Sequence, residues 1–339
     1  MTAKASRLKR HLMAMRYVLR VVVPILLRTG KRPVMFSKYS GIGDIICTFP
    51  AVLKLKARHP GAPFIYNCEH SYRLLPQMAG VTKTITHFPE AGVLRHWYGW
   101  LFAAFYEFPS ADELPNDFCK EYVVKEYAQA HGLEIESAHP KLEIAPGIRA
   151  KVMTVLGEAA KNSGPIILIQ TGPTWAIREW PRESWELLVT ELKRNGYSNV
   201  FQIGTDHHLS LGTATSNAIA NATSLINCFT LEETAAAIAG SDLFIGIDSG
   251  LLHIAASMRT PCIGIFGPTS PQLRLPPGDV RNCIVSKAEC QGCHHRVPRI
   301  HWETGCPHNI QCMKMIQPQD VLEVCLRLLQ KPVSCGSGP

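Results

Sequence analysis

The feature that most constrains the fold of this chain is a continuous apolar run that ends in a short polar turn. Leu243–Ile247 is apolar throughout, residues 248–250 are Asp, Ser and Gly, and a second apolar stretch containing His253 follows. The run predicts a buried strand, Gly250 permits a tight turn, and residues 251–258 predict a helix. Because the first N–H groups of a helix and its dipole attract anions, this junction predicts a phosphate-binding site.

A second junction of the same kind lies near the beginning of the chain. A strand is predicted at Val34–Ser37, and an apolar-periodic segment at residues 45–58 predicts a helix. Between them lie the residues of a glycine turn and one acid, which are Ser40, Gly41, Gly43 and Asp44. Two such junctions in one chain predict an α/β protein with two nucleotide-binding halves that face one cleft.

The length of the chain and the order of its predicted elements agree with two domains. A chain of 339 residues with 46% hydrophobic residues can bury two cores of ordinary size. A polar, proline-containing stretch at 140–148 is interpreted as the linker, which gives an N-terminal domain at 33–150 and a C-terminal domain at 151–339. Helices separate the predicted strands, so parallel sheets are expected. Further strands are predicted at 64–67, 81–86, 166–170, 199–203 and 262–266.

The positive charge of the chain is concentrated in a leader, residues 1–32. The formal net charge is +8, but the leader contains nine Lys and Arg and no acid, so the remainder is nearly neutral. Apolar residues at spacings of four and three predict an amphipathic helix that lies on an anionic membrane surface. The apolar residues are Leu8, Leu12, Met15, Leu19, Val22 and Leu26, with Lys9, Arg10, Arg16 and Arg20 on the flank and back.

The alternative for the leader is a helix docked on the protein itself. We prefer the membrane interpretation because no acidic segment obviously complements the leader. Its apolar run is well short of the ~20 residues that a transmembrane helix needs, and no small-residue cleavage site follows it.

An aromatic-rich segment covers residues 88–109. It is interpreted first as core or helix packing, and the alternative is an apolar wall for a lipid-linked acceptor. Its aromatic residues include Trp97, Tyr98, Trp100, Phe102, Phe105, Tyr106 and Phe108.

Three spaced motifs resemble those of family 9 glycosyltransferases. They are SGIGD at residues 40–44, GPTWAIREWP at 172–181, and DSGLLH at 248–253, the last followed by TP at 260–261 and FGPT at 266–269. Each motif alone is weak, but their shared order over residues 34 to about 277 makes the resemblance specific. The chain is similar to the ADP-heptose:lipopolysaccharide heptosyltransferases of that family.

The resemblance implies a GT-B arrangement of two Rossmann-like domains with parallel sheets facing an interdomain cleft. It implies an inverting, metal-independent transfer of a heptose or related sugar from an ADP-sugar to a lipopolysaccharide core or similar lipid-linked glycan. No catalytic cofactor is expected, and the sequence has no Asp-x-Asp pair for carrying Mg²⁺. Protein groups must then neutralise the leaving diphosphate. The expected donor-binding residues are Thr174, Arg178, Asp248, Ser249, Gly250, Leu251 and His253.

Asp44 matches the acid that serves as general base in this family, and Ser40, Gly41 and Gly43 form the acceptor-side loop beside it. A base is needed because a sugar hydroxyl is a poor nucleophile until its proton leaves. The alternative is that Asp44 only stabilises the start of its helix, where an acid is favourable by itself. The two roles are compatible.

Cysteines are the other signal, and seven of the twelve lie from Cys283 onward. The spacing of four of them within segment 283–312 resembles a four-thiolate metal site, with Cys290, Cys293, Cys306 and Cys312 as ligands. Zn or Fe would suit thiolates, and a structural role is expected because the segment lies outside the catalytic motifs. The ligand set stays open because His294, His295, His301 and His308 lie nearby, and reduced thiols without a metal are the alternative.

Two other classes of protein are weighed. A dinucleotide oxidoreductase is disfavoured because Gly41-x-Gly43 lacks the third glycine of the fingerprint and no acid ends the strand at 64–67. A nucleic-acid-binding protein that uses the leader and the cysteine segment is the main alternative, yet a nearly neutral body offers no basic groove, and no nucleic acid is expected. The expected location is the cytoplasm, peripheral on the inner face of the bacterial inner membrane.

Overall fold

The structure is a computed structural model that describes residues 3–109, 121–135, 139–206, 218–295 and 305–330. The chain divides into two compact units. One comprises residues 1–116 and 123–143, and the other comprises residues 117–122 and 144–339. Each unit contains one sheet of parallel strands with helices in the connections. The predicted α/β class with two Rossmann-like domains is confirmed, and the leader belongs to the first unit.

The first unit contains a four-stranded parallel sheet. Its strands are β1 Val34–Ser37, β2 Phe64–Asn67, β3 Ile85–Thr86 and β4 Ala104–Glu107, in the sheet order β3-β2-β1-β4. β1 is buried along its whole length, as its apolar run predicts. β4 was not predicted. Its four residues are half-buried throughout, so they show no apolar run or alternation that sets the strand apart from the surrounding aromatic residues.

The predicted strand at 81–86 is shorter than expected. Only Ile85–Thr86 is a strand. The hydroxyl of Thr82 donates to the carbonyl of Phe64 at 2.8 Å and accepts from the N–H of Thr84 at 3.1 Å. This side chain therefore occupies hydrogen-bonding groups that a longer strand would use.

The leader folds as three consecutive helical pieces, α1 Ala3–Tyr17, a π-helical turn Val18–Val22, and α2 Val23–Thr29. One face of these pieces docks on the first unit, as the alternative interpretation proposed. The residues that pack in this apolar cluster are Ala14, Tyr17, Val18 and Val22 of the leader with Met35, Ile65, Phe88, Leu94 and Phe102. The expectation that nothing acidic complements the leader is wrong at Arg10, whose Nε lies 3.7 Å from Glu90 Oε2.

Only part of the predicted apolar face of the leader points away from the first unit. Four of its residues form an outward stripe, and their exposed fractions are 61% for Leu8, 45% for Leu12, 37% for Met15 and 58% for Leu19. Val22 was expected in the same stripe but is fully buried. The reason is the π-helical turn, whose wider spacing rotates the residues that follow it relative to α1. Among the residues that the structure describes, no helix is long and apolar enough to cross a membrane.

The remaining helices of the first unit connect its strands or follow them. They are α3 Ile42–Ala57, α4 Leu74–Met78, α5 Ala91–Tyr98 and α6 Val123–Gln129. The aromatic segment contains α5 and β4. Some of its aromatic side chains are buried and others are exposed. Phe102 and Phe108 are buried, as core packing predicts, whereas Trp97 and Trp100 are 40% and 70% exposed.

The second unit contains a six-stranded parallel sheet. Its strands are β5 Ile166–Gln170, β6 Asn199–Gln202, β7 Thr223–Ser224, β8 Leu243–Ile247, β9 Cys262–Phe266 and β10 Ile284–Val285. The sheet order is β10-β9-β8-β5-β6-β7, which places β8 and β9 in the interior, where both strands are buried throughout. The apolar runs in the sequence predict this burial.

Helices of the second unit begin and end at the signals that the sequence contains. They are α7 Pro146–Ala159, α8 Arg182–Arg194, α9 Leu231–Gly240, α10 Gly250–Ser257, α11 Pro271–Arg274, α12 Pro277–Val280, α13 Gln311–Lys314 and α14 Pro318–Leu329. Thr230 and Glu233 form a complete capping box at the start of α9. Gly196, just after α8, has φ +89, the left-handed conformation that favours glycine.

Candidate active site

Asp248 is the centre of the candidate site in the second unit. It directly follows β8, is 3% exposed, and its Oδ2 lies 3.4 Å from NH1 of Arg178. Burial by itself raises the pKa of this carboxyl, but the charges of Arg178, Arg274 and His253 hold the pKa well below its usual range. Asp248 is therefore a carboxylate at neutral pH. The structure brings the predicted residues Arg178, Asp248 and His253 together.

The turn after Asp248 presents backbone N–H groups to the same place. α10 begins at Gly250, and the preceding Ser249 is extended and does not cap the helix with its side chain. The Ser249 hydroxyl instead donates to Oε1 of Gln170 at 2.7 Å. The first N–H groups of an α-helix have no acceptor within the helix. The N–H groups at Gly250 and Leu251 are therefore the ones that an anion beside Asp248 would bind.

Arg178 and Thr174 lie in a loop after β5 that is organised around Glu179. The backbone N–H of Thr174 donates to Oε1 of Glu179 at 2.9 Å. A Cβ added to Gly172 would lie 2.9 Å from the same oxygen, so the backbone can approach Glu179 only because residue 172 is glycine. Burial raises the pKa of Glu179, and the Thr174 N–H offsets part of that rise. Glu179 was not a predicted site residue, although it lies in the second motif.

Three further residues of this site were missed. Arg274, at the end of α11, is 7% exposed, and its NH2 lies 3.1 Å from Nε2 of His294. Burial, and then the cations Arg178 and Arg274, hold the pKa of His294 far below its usual range, so the ring is neutral. Thr269 is fully buried in the turn after β9, and its hydroxyl helps to lower the pKa of Asp248. Thr269 had a signal in the sequence because it ends the FGPT motif, His294 was named only as an alternative metal ligand, and Arg274 had no signal.

Asp44 is the third residue of α3 in the first unit. The helix begins at Ile42, two residues before the acid, and its N-cap is Gly41, which has φ +86 and makes no side-chain cap bond. A Cβ on Gly41 would lie 3.2 Å from Oδ2 of Asp44, so the carboxylate bends back over the glycine. Asp44 therefore lies in the first turn, where the helix dipole favours an acid. Ser40 is exposed and lies just before the N-cap Gly41. Gly43 is the second residue of the helix and directly precedes Asp44.

Lys38 is a partner of Asp44 that no sequence pattern indicates. Its Nζ lies 3.5 Å from Oδ2 of Asp44, although the lysine side chain is only 4% exposed. The same Nζ donates to the carbonyl of Pro109 at 3.3 Å. A buried ammonium with two fixed partners has little freedom to move. Lys38 therefore holds the Asp44 carboxylate in one direction, at the carboxyl end of β1.

The four cysteines of the predicted metal site lie in one neighbourhood. Burial first, and then the nearby Cys290, Cys293 and Cys306, raise the pKa of Cys312 to about 12. Among the described residues, however, no three His, Cys, Asp or Glu side chains are arranged as a metal site. His301, named as an alternative ligand, lies outside the described residues.

The sequence matches the family description glycosyltransferase family 9 (heptosyltransferase) over residues 79–301. It is 28% identical over 134 residues to lipopolysaccharide heptosyltransferase 1 of Pseudomonas aeruginosa, which covers 40% of this chain and 38% of that protein. It is 22% identical over 289 residues to lipopolysaccharide heptosyltransferase 1 of Escherichia coli, which covers 71% of this chain and 89% of that protein.

Solved structures share the fold. The iron-containing dodecameric glycosyltransferase TibC from enterotoxigenic E. coli superposes with a TM-score of 0.66 at 19% identity, covering 89% of this chain and 79% of that chain. The E. coli ADP-heptose lipopolysaccharide heptosyltransferase II superposes with a TM-score of 0.64 at 17% identity, covering 88% and 98%. With the family match over most of its length, this chain belongs to glycosyltransferase family 9 (heptosyltransferase).

Proposed function

We propose that this chain transfers a heptose, or a related sugar, from an ADP-sugar to a lipopolysaccharide core or a similar lipid-linked glycan. The observation that carries the proposal is the pair of the buried Asp248 and the 15% exposed Arg178 beside the start of α10. A guanidinium, backbone N–H groups and a helix start at one place are what a diphosphate requires. The heptosyltransferases that resemble this chain support the choice of sugar.

The leaving diphosphate is neutralised by protein groups in this proposal. Arg178 binds the phosphate oxygens, and the N–H groups at Ser249, Gly250 and Leu251 donate hydrogen bonds to them. Asp248 fixes the direction of the Arg178 guanidinium, from 3.4 Å away. Thr174 adds a hydroxyl, and His253 lies on the same helix as the donating N–H groups. These groups meet a charge that grows as the sugar–phosphate bond breaks, so the transfer needs no bound metal.

Asp44 is the proposed general base. It takes the proton of the acceptor hydroxyl as the oxygen forms a bond to the anomeric carbon, and the bond from that carbon to the ADP oxygen breaks on the opposite side. A single displacement of this kind inverts the configuration at the anomeric carbon. Lys38 holds the carboxylate in one direction, which preserves its alignment with the acceptor.

The test pairs donor binding with transfer in two variants. Asp44→Asn keeps the size of the side chain but cannot accept the proton, so single-turnover transfer from ADP-heptose falls by ~10²–10⁴-fold. The affinity for ADP, measured by isothermal titration, changes little. Arg178→Ala loses a charge-assisted contact with phosphate, so ADP binding weakens by roughly 1.5–3 kcal/mol and transfer slows as well.

Matched controls exist for both substitutions. Asp320 is also the third residue of its helix, α14, and is exposed, so Asp320→Asn removes the same helix-dipole interaction without touching the proposed base. Arg182 is an exposed arginine paired with Glu186 on α8. Transfer by Asp44→Asn at the rate of Asp320→Asn would show that Asp44 only stabilises its helix. If ADP binding by Arg178→Ala equals that of Arg182→Ala, the donor assignment is wrong.

We also propose that Cys290, Cys293, Cys306 and Cys312 hold one structural Zn or Fe ion. Support comes from the specific spacing of the first two cysteines and from the nearness of three thiols to Cys312. Such an ion displaces the thiol protons and ties the segment together. Elemental analysis of the untagged protein is expected to find about one ion per chain. The ion is lost in the double variant Cys290→Ser and Cys293→Ser but retained in Cys228→Ser, an exposed cysteine elsewhere. A metal-free parent protein would refute this.

The proposed location is the inner face of the bacterial inner membrane, where a lipid-linked acceptor is accessible from the cytoplasm. The outward stripe of the leader supports it, because apolar side chains in water beside many cations match an anionic lipid surface. No nucleic acid is assigned as a partner.

A further inference from the structure

The segment that carries the first two predicted cysteine ligands lies directly against the candidate donor site. Residues 290–295 are bonded to the turn at residues 267–270, which follows β9. Four hydrogen bonds join them. They run from Gly292 N–H to Gly267 O at 3.1 Å, from His294 N–H to Pro268 O at 2.9 Å, from Gln291 Nε2 to Thr269 O at 3.1 Å, and from Ser270 N–H to His295 Nε2 at 3.0 Å.

Cys312, the last of the four predicted cysteine ligands, packs against the same turn at Gly267. A Cβ at this position would overlap with Sδ of Met313 and would lie 2.9 Å from Sγ of Cys312. Both side chains are buried and in contact with the turn. Residues 290–295 and Cys312 therefore pack directly against the turn at residues 267–270.

This packing fixes the position of His294, which contacts the Arg274 side chain. A guanidinium has donors and no acceptor, so in the 3.1 Å contact Nε2 of His294 is the acceptor and the ring proton is on Nδ1. Because Arg274 is 7% exposed and the backbone of His294 is tied to the turn, the guanidinium is held in place. Lys could not reproduce this planar contact.

Arg274 also acts on the carboxylate that Arg178 contacts. Asp248 is 3% exposed, and both guanidiniums stabilise its charge. His294 brings no charge of its own to the group when its Nε2 accepts from Arg274. Arg274 is buried and Arg178 is 15% exposed, and an anion that binds beside Asp248 would interact favourably with both guanidiniums.

We propose that Arg274, set in place by His294, is a second cation for the diphosphate of the donor. This inference rests on the proposed function, because the anion is the nucleoside diphosphate that leaves in the transfer. Arg274 would contact the phosphate oxygens, whereas His294 is a positioning residue that acts through Arg274.

The first test is Arg274→Gln, measured by titration with ADP and with adenosine. Losing a charge-assisted contact is expected to weaken ADP binding by about 10- to 100-fold. Adenosine has no phosphate, so its affinity changes far less, and the preference for ADP over adenosine falls by the same factor. Arg281→Gln is the matched control, because Arg281 is exposed and lies seven residues further along the chain.

The second test separates positioning from a general structural effect. His294→Leu removes the acceptor and is expected to lower the preference for ADP over adenosine. His294→Gln offers a side-chain oxygen in place of Nε2 and restores part of the preference. Melting temperatures are measured for all variants, so His294 keeps the inference testable if Arg274→Gln does not fold.

The outcomes distinguish this inference from the proposed function. If the parent binds ADP and Arg274→Gln keeps its full preference for ADP over adenosine, the inference is overturned alone. Equal weakening of ADP and adenosine would also overturn it, because Arg274 would then serve the fold and not the phosphates. If the parent protein binds no ADP, the proposed function fails first.

Discussion

The leader has two apolar faces, and matched substitutions can separate them. The docked face contains Ala14 and Val22, which are fully buried, whereas Leu8 and Leu19 of the outward stripe are 61% and 58% exposed. We expect the triple substitution of Leu8, Leu12 and Leu19 by Gln to weaken membrane binding strongly and to leave the fold unchanged. Val22→Ala is expected to destabilise the fold.

The expected magnitudes follow from these exposures. Fully burying a leucine is worth ~1.5–3 kcal/mol, so a side chain that is about half exposed gains roughly 1 kcal/mol on entering a bilayer surface. Removing three such side chains costs roughly 3 kcal/mol, or about 10²-fold in partitioning. The cations Lys9, Arg16 and Arg20, each of which directly follows a stripe residue, are retained and contribute about 1 kcal/mol each near anionic lipid.

The assay is cosedimentation with vesicles that contain anionic lipid, at low and at high salt, with thermal unfolding measured in parallel. The stripe variant is expected to bind about 10²-fold more weakly and to unfold at the parent temperature. Val22→Ala leaves a cavity in the docked face and costs about 2 kcal/mol of unfolding free energy. Leu53→Gln and Leu187→Gln are the controls, because these leucines are 46% and 56% exposed in other helices.

One result would refute the reasoning about the outward stripe directly. If the stripe variant sediments with vesicles as well as the parent does, the stripe does not face a membrane. A large fall in its melting temperature would contradict the structural argument instead, because it would mean that the stripe is packed in the folded protein.

Three further predictions concern the second unit and the proposed base. The hydrogen bond from Lys151, and then those from Thr230, lower the pKa of Glu233 to about 2. The ionised Glu233 therefore stabilises the fold above the ordinary glutamate pKa, and this stabilisation is lost as pH falls from about 5 towards 2. Lys151 is 70% exposed and the pair is screened by water, so Glu233→Gln is expected to cost only about 1 kcal/mol at neutral pH in urea unfolding, and the gap should close in acid. Gly267→Ala forces a Cβ against Met313 and Cys312 and is expected to destabilise by ~1–3 kcal/mol, whereas Gly278→Ala meets nothing within 4 Å; equal unfolding curves would contradict the packing. Lys38→Met removes the ammonium beside Asp44 and is expected to slow single-turnover transfer by up to ~10²-fold with ADP affinity unchanged, and parent-like transfer would count against Lys38 as a positioning residue.

Elements that rest on local sequence signals were predictable. The apolar runs of β5, β8 and β9 identify buried parallel strands, and Thr230 with Glu233 identifies a helix start. β4 was missed because its pairing with β1 is a contact between residues about 70 positions apart, from Val34 to Ala104, and no local pattern encodes it. The shortening of β3 by the Thr82 hydroxyl is a tertiary effect for the same reason.

The sequence by itself determined the two strand–turn–helix junctions and the residues placed on them, because a turn needs its glycines and a buried strand needs its apolar run. It therefore placed Asp44 and Asp248 at the starts of two helices, whereas Arg178 was named only through the resemblance of the 172–181 motif to family 9. Only the tertiary structure placed Lys38 beside Asp44 and His294 beside Arg274, because these pairs bring together side chains from separate elements. It also decided which apolar face of the leader docks. Both faces are apolar in the sequence, and only the shape of the surface formed by Phe88, Leu94 and Phe102 selects between them.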